Sequence, residues 1–346
     1  MIEAKGNLTG EIRGSQALAG SLNNAVAYPE LKNLEVIPNT ERQVFNHEGY
    51  YGYDKVEVEA VTSEIDSNIV ADNIKNDVEI LGVKGTFVGG KYAPRTINFT
   101  NYTGTELDYE LENLDGSNLT SMAAMFSFCR NLTTLNLNNL NLKNITNMSE
   151  TFYACNGLLD LDISLVDTSK VTDMSSMFNA CSVITSLDLS NFDTSNVTNM
   201  QGMFGSCSKL TSLDLSNFDT SKVTGMGNMF YGMTSLKTID LSNFDTSKVT
   251  NMSYMFRNSS NLVSIDLSGA TSEALTNTYW MFYGCYALKY LDIRGMDFAK
   301  VTNYGGMFTS VPANCEIIVK DEDAKAWVLA RRSDLTNVKT VAELEG

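Results

Sequence analysis

Six aspartates recur 26 residues apart along the chain: Asp162, Asp188, Asp214, Asp240, Asp266 and Asp292. Carboxylates serve as acids, bases and cation ligands, but a glycosidase needs two of them in unlike surroundings. A copied position supplies like surroundings. The column therefore reads as a row of equivalent acceptors, suited to a glycan, a basic peptide or a cation, with a solvated face as the plain alternative. A second series, Asp167, Asp193, Asp219 and Asp245, stands in "DTS" segments, the last three of them "FDTS". Asp, Thr and Ser there bond their own backbone and make tight turns; a calcium ladder is the other use of such a row. His47 is the only histidine and lies in a Gly- and Tyr-rich loop, so nucleophilic catalysis would have to be built around it alone. There is no Walker loop, G-x-G-x-x-G or H-E-x-x-H. No catalytic residue, metal or cofactor is assigned, and the chain is read as a non-enzyme.

Cysteine offers little more. Cys129, Cys155, Cys181, Cys207 and Cys285 each follow a phenylalanine by three residues, and Met233, Ser259 and Val311 fill that slot in other copies. A slot open to Cys, Met, Ser and Val is a packing position, so free buried thiols are expected rather than bridges. Cys315 stands outside the column. Aromatic residues depart from the repeat: Tyr279, Trp280, Tyr283, Tyr286, Tyr290 and Tyr304 gather near the C-terminal end, where other copies offer Ser, Gly or Met. Such residues favour sugar and protein contacts; packing of an exit cap is the competing reading. The candidate ligand-binding set is thus the six-aspartate column with Tyr279, Trp280, Tyr283, Tyr286 and Tyr290.

The elements that must position these residues follow from the period. Phe126, Phe152, Phe178, Phe204, Phe230, Phe256, Phe282 and Phe308 are each 26 residues apart, and so are the apolar-x-apolar triplets beginning at Leu135, Leu161, Leu187, Leu213, Ile239, Ile265, Leu291 and Ile317. A fixed period of this length is the signature of a solenoid. Each triplet reads as a strand, with Leu213 and Leu215 inward and Asp214 outward, and stacked triplets predict one parallel sheet. Met226, Met229 and Phe230 at i, i+3, i+4 predict a short helical turn opposite. The expectation is an α/β solenoid, a leucine-rich-repeat-like arc with one parallel strand per repeat, over residues 91–320 with an entry cap at about 91–118 that opens on a strand at 95–100. Residues 321–346 form a helix-strand cap, with Asp321 capping a helix that carries Ala324, Trp327 and Val328, and "NVKTV" as a last strand.

Upstream, residues 1–30 read as an extended arm and 31–90 as a small, mainly β region. "NLEVIP" and "KVEVEAV" alternate as strands, "NHEGYYGYD" connects them as a hairpin, Asp66 starts a short helix, and "ILGVKGTF" is a strand broken by Gly82 and Gly85.

The unit "LDLSNFDTSNVTNMQGMFGSCSKLTSL" resembles the BspA-like leucine-rich repeats, a 26-residue class of bacterial surface proteins, over about residues 119–319. That resemblance implies adhesion and recognition, with no catalytic residues to carry over. "NLEVIPNTERQVFNHEGYYGYDKVEVEAV" with "IDSNIVADNIKNDVEILGVKGTF" resembles segments at the front of phage structural proteins from Gram-positive hosts.

Charge narrows the partners. The chain of 346 residues carries a formal net charge of −16, which disfavours nucleic acid and an anionic membrane surface. No apolar run approaches the ~18 residues that span a bilayer. "MIEAKGNLTGEIRG" lacks the basic-then-apolar layout of a secretory signal, and no anchoring tail is evident after Glu343. The expectation is a virion component released by host lysis, such as a tail fibre or receptor-binding or decorating protein. Residues 1–90 would join it to other virion proteins as a homotrimer, and its repeats would bind a bacterial surface glycan or protein. A bacterial cell-surface adhesin is the alternative.

Overall fold

The computed structural model describes residues 97–107, 111 and 114–345, together with four short strands: β1 (Gln43–Phe45), β2 (Val56–Val58), β3 (Glu79–Ile80) and β4 (Val83–Lys84). Strands β1 and β2 pair antiparallel with Val44 opposite Glu57, so "NHEGYYGYD" does join paired strands, the first being Gln43–Phe45. "NLEVIP", the arm, His47 and the helix starting at Asp66 lie outside the described residues. The expected single strand at "ILGVKGTF" is instead a hairpin of β3 and β4, with Ile80 opposite Val83. Contacts divide the chain into two units, 1–94 with 109–115 and 95–108 with 116–346.

The second unit is a parallel β-solenoid of 26-residue coils. Its front limb carries β5 (Thr134–Asn136), β6 (Asp160–Asp162), β7 (Thr238–Asp240), β8 (Ser264–Asp266), β9 (Tyr290–Asp292), β10 (Glu316–Val319) and β11 (Val338–Thr340). Every pair is parallel and in register, as in Ile239 opposite Ile265 and Ile265 opposite Leu291. The sheet is not continuous, however. β5 pairs with β6 and β7–β11 form a five-stranded sheet, but triplets 186–188 and 212–214 are unpaired, and Leu187 and Leu213 are half-buried rather than interior.

The break coincides with the slot five residues after each triplet begins, which Leu165 and Asp321 fill where β6 and β10 pair. Asn191, Asn217 and Asn243 stand there in the three coil contacts that lack a ladder, and each donates its side-chain amide to the preceding coil. Asn217 Nδ2 reaches Leu189 O at 3.0 Å and Phe192 O at 2.9 Å, and Asn243 Nδ2 reaches Leu215 O and Phe218 O at 3.1 Å. Glycine holds that slot where β7, β8 and β9 pair: a Cβ on Gly269 would overlap Ser242 O, and one on Gly295 would overlap Ala270 O. Glycine lets two backbones meet; asparagine spaces them and supplies the bonds itself.

The back limb is continuous. Single parallel bridges run from Ser121–Asn147 through to Asn277–Asn303. Amides of Met122, Ala124, Phe126 and Phe128 donate to carbonyls of Asn147, Ser149, Thr151 and Tyr153 in the next coil at 2.7–2.9 Å, while alternate amides close turns, as in Met125 N to Met122 O at 3.0 Å. The turn closure expected from the Met-Phe spacing is present, but no helix forms. Each coil holds two residues at positive φ, from Ala124 (53°) and Phe128 (60°) in the first to Gly306 (64°) and Ser310 (71°) in the last, and a left-handed residue at every fourth position stops a right-handed helix.

Between the limbs, nine phenylalanines stack from Phe99 to Phe308 at centroid spacings of 5.4–5.9 Å. Phe99 adds a ninth ring, 27 residues before Phe126. Residues 97–100 are not a strand; Phe99 N joins the back limb at Met125 O, 2.8 Å. Burying each such ring contributes about 1.5–3 kcal/mol, which makes this column the main apolar support of the coils.

At the exit, α1 (Glu322–Leu329) is capped by Asp321, whose carboxylate accepts from Ala324 N at 2.9 Å. It buries Ala324 and Val328, while Trp327 stacks on Phe298 at 4.3 Å. β11 follows as expected from "NVKTV". A further helix, α2 (Val341–Glu345), starts with a capping box: Thr340 Oγ1 accepts from Glu343 N, and Glu343 accepts from Thr340 N at 2.8 Å.

Candidate functional site

The aspartate column is placed by the strand triplets and is partly consumed by them. Each carboxylate accepts the backbone N–H two residues on: Ser190 N to Asp188 at 3.0 Å, Ser216 N to Asp214 at 3.0 Å, Ser242 N to Asp240 at 2.9 Å and Ser268 N to Asp266 at 2.8 Å. Asn136 does the same for Asn138 N. Serine hydroxyl and backbone donors hold Asp162, Asp188 and Asp240 below the usual carboxylate range; for Asp214 the Ser216 backbone N–H is the larger cause. One oxygen of each is thus engaged in a turn, and the other faces outward at Asp188, Asp214 and Asp240, which are exposed. Asp162 and Asp266 are half-exposed. The FDTS aspartates follow the same chemistry, as in Ser221 N to Asp219 at 2.9 Å, which bears out their reading as turn-makers.

Asp292 is different. It is 1% exposed, and Arg294 grips both its oxygens, with Nε at 2.9 Å from each and Nη2 at 2.6 Å from Oδ2. Tyr290 Oη donates to the same carboxylate at 3.0 Å. Asp292 is closed to any ligand that needs its carboxylate, and Tyr290 is tied down beside it; burial and the neighbouring carboxylate push the Tyr290 phenol up.

The cysteines are free and buried. Each column thiol donates to the carbonyl of a stacked phenylalanine one coil earlier, 29 residues back except for Cys129, which reaches Phe99 O 30 residues back; Cys207 Sγ meets Phe178 O at 3.1 Å, and Ser259 Oγ fills the same role toward Phe230 O at 2.7 Å. Burial pushes the Cys181 and Cys285 thiols up to about 12. Among the described residues no three His, Cys, Asp or Glu side chains gather to hold a metal ion.

The aromatic group is brought together on the back limb. Tyr279 stacks on Trp280 at 5.1 Å, and Trp280 on Tyr283 at 4.7 Å, with Tyr254 edge-on to both Tyr279 and Trp280. Tyr286 is 61% exposed. The rings sit at the turn positions that the sequence alone leaves undefined: Tyr254 and Trp280 occupy positive-φ sites, at 61° and 54°, which glycine fills at 202 and 306. A bulky residue there costs about 1–3 kcal/mol and such outliers gather at functional sites. Neighbouring glycines make room, since a Cβ on Gly305 would press on Tyr279 and one on Gly306 on Trp280.

One residue escapes sequence reasoning. The Arg257 guanidinium lies 4.5 Å from the Trp280 ring centre and 5.5–5.7 Å from Tyr231, Tyr254 and Tyr283. Its Nε is buried without a hydrogen-bond partner. The signal was in the column, where Arg257 replaces the tyrosine found at 231 and 283. Charge segregates accordingly: the back-limb segments 199–209, 225–235, 251–261, 277–287 and 303–313 contain no Asp or Glu, and their only charges are Lys209 and Arg257.

Comparison with known proteins places the repeats. A family model described as "Mycoplasma protein of unknown function, DUF285" matches residues 97–164, 120–213, 158–259 and 207–320 in overlapping spans. A search of curated proteins finds no match.

Proposed function

The chain belongs to the DUF285 family, and from that premise we propose that it is a non-enzymatic recognition protein whose repeats bind a bacterial surface glycan. The observation that carries this reading is the Tyr279–Trp280–Tyr283 stack, with Trp280 at positive φ, next to half-buried Arg257, which has no ion pair among the described residues. Flat aromatic surface with a fixed polar group is the means by which proteins hold sugar rings. The acidic column is the lesser contributor, because its turn bonds engage one oxygen of each exposed aspartate.

The N-terminal resemblance supports attachment to a phage particle through residues 1–90 as a homotrimer, which makes the protein a receptor-binding or decorating virion component. A second reading, a bacterial cell-surface adhesin, is favoured by the family description, which names a cellular bacterium. A glycan array probed with the full chain, with Trp280→Ala and Tyr283→Ala, tests recognition. Glycan binding lost in both variants is expected; no glycan bound by the parent chain overturns it. Antibody labelling of purified particles against cell envelopes decides the carrier, and light scattering of the chain decides the trimer.

A further inference from the structure

The back limb is polar along its length. Over four alternate positions of each coil, from Met122 to Phe128 in the first, the amides donate toward the exit and the carbonyls accept from the entry side, while the threonine just before them donates the other way, as in Thr302 N to Thr276 O at 3.0 Å. In the last such contact Thr278, Trp280, Phe282 and Gly284 donate to Asn303, Gly305, Met307 and Thr309 at 2.7–3.2 Å. The equivalent amides of the last coil belong to Tyr304, Gly306, Phe308 and Ser310, and among the described residues none of them has an acceptor. The ladder therefore ends in a row of N–H groups aimed the same way, the arrangement that makes anion-binding concavities from backbone alone.

Three of these residues, all but Ser310, line a half-open pocket of about 460 Å3 bounded by Tyr304, Gly306, Phe308, Thr309, Ala330 and Arg331. The Arg331 guanidinium is held between two rings, 3.7 Å from the centre of Trp327 and 4.2 Å from that of Tyr304. Its Nη1 donates to Trp327 O at 2.9 Å, and among the described residues its buried Nε has no partner and the side chain makes no ion pair. Arg332, next to it, donates to Phe308 O and Val311 O and so neutralises the carbonyl side of the same turn. No carboxylate lines the pocket, in a chain with 41 acidic residues.

We propose that this exit pocket is an oxyanion site, which takes the carboxylate or phosphate of an acidic glycan through the Gly306 and Phe308 amides and the Arg331 guanidinium. The inference rests on the glycan reading and extends it: Gly306 is the residue against which Trp280 packs, so a sugar stacked on the aromatic row has its acid group within reach of the amides. Charge-assisted bonds from guanidinium and backbone N–H groups suit both kinds of acid, and the fixed backbone costs nothing to reorganise.

The test uses the full chain, deuterated and 15N-labelled, titrated separately with D-galacturonate, glycerol 3-phosphate, D-galactose and sodium chloride. Either acid should shift the Gly306 and Phe308 amides saturably, while galactose and chloride leave them in place; the acid that shifts them at lower concentration identifies the source. Arg331→Gln should weaken that binding at least tenfold, and Arg331→Lys, which keeps the charge, should weaken it less. Overturning results are unshifted Gly306 and Phe308 amides in the parent chain with both acids, or equal affinity in Arg331→Gln. Should neutral array glycans still bind through Trp280 and Tyr283 in that case, the glycan reading stands without the oxyanion site. Acid binding at Gly306 with no glycan bound anywhere would reject the glycan reading instead.

Discussion

Gly269 lies so close to the Ser242 carbonyl that a Cβ built on it would overlap that oxygen. This approach is what allows β7 and β8 to exchange main-chain bonds, since Leu241 N reaches Asp266 O at 2.9 Å just beside it. Gly269→Ala should therefore open the ladder and destabilise the protein by about 1–3 kcal/mol, the range for overpacking a tight site. Gly225→Ala is the control, because a Cβ there would meet only Asn199 Oδ1 at 3.5 Å. Hydrogen exchange at Leu241 and Leu267 reads the opening; equal melting of the two variants would refute it.

Asn217 performs the opposite function two coils earlier, donating to Leu189 O and Phe192 O where no strand ladder exists. Asn217→Ala leaves both carbonyls without that donor and should cost about 1–3 kcal/mol. Denaturant melts measure it, and a loss of a few tenths would show that the ladder of asparagine amides is dispensable.

These two residues also show how far the sequence could be read. The period of Phe204 and Leu213 dictates a solenoid, because apolar residues every 26 positions can be buried together only by stacking. Its parallel register followed from the triplets. What the pattern could not show was that one slot, Asn at 217 and Gly at 269, separates the asparagine-spaced contacts from the close approach of β7, β8 and β9, because both residues read equally as turn formers; β6 pairs with Leu165 in that slot. The helical expectation at Met226 and Phe230 failed for a related reason: spacing records which side chains share a face, while positive φ at Asn228 (58°) records a chain reversal that leaves the face intact. Trp280 was legible as a departure from the repeat; Arg257 departs from it too, in the column of Tyr231 and Tyr283, but only the fold brings its guanidinium over the Trp280 ring.

Acid should weaken the front limb. Asp162 and Asp240 have pKa values below those of the unfolded chain, through Ser164 and Ser242 donors. Their turn bonds are fully stabilising above the ordinary range, about 3.9 for aspartate, and are lost as pH falls through the depressed folded values. Asp240→Asn should be nearly neutral, since Asn136 already makes the same turn. Asp240→Ala should cost about 1 kcal/mol. Melts from pH 2 to 7 check both; a stability curve flat below pH 4 would contradict the turn role.

Removal of Arg294 exposes a different weakness. Asp292 is buried and its principal counter-charge is Arg294, so Arg294→Ala strands a carboxylate in the sheet and should destabilise by about 2–4 kcal/mol, somewhat below the fully buried case because Arg294 is itself part-exposed. Asp292→Asn added to Arg294→Ala should recover much of the loss. A double-mutant cycle by chemical denaturation gives the coupling, and additive losses would show that the pair is not coupled.

The thiol column should be inert in the native state. Cys181 and Cys285 are pushed up to about 12 by burial, so neither forms thiolate near neutral pH, and a thiol reagent should label them only after unfolding. The unfolded chain deprotonates near about 8.5 while the native thiols do not, so their contribution is complete below that value and declines as pH rises toward the folded values. Cys207→Ser should retain the bond to Phe178 O, as Ser259 does to Phe230 O, whereas Cys207→Val gives up that donor and leaves the carbonyl unsatisfied, costing about 1–3 kcal/mol. Equal melting temperatures for the two variants would mean that the slot needs only volume, as Val311 and Met233 fill it, and that the sulfur-to-carbonyl bond contributes nothing.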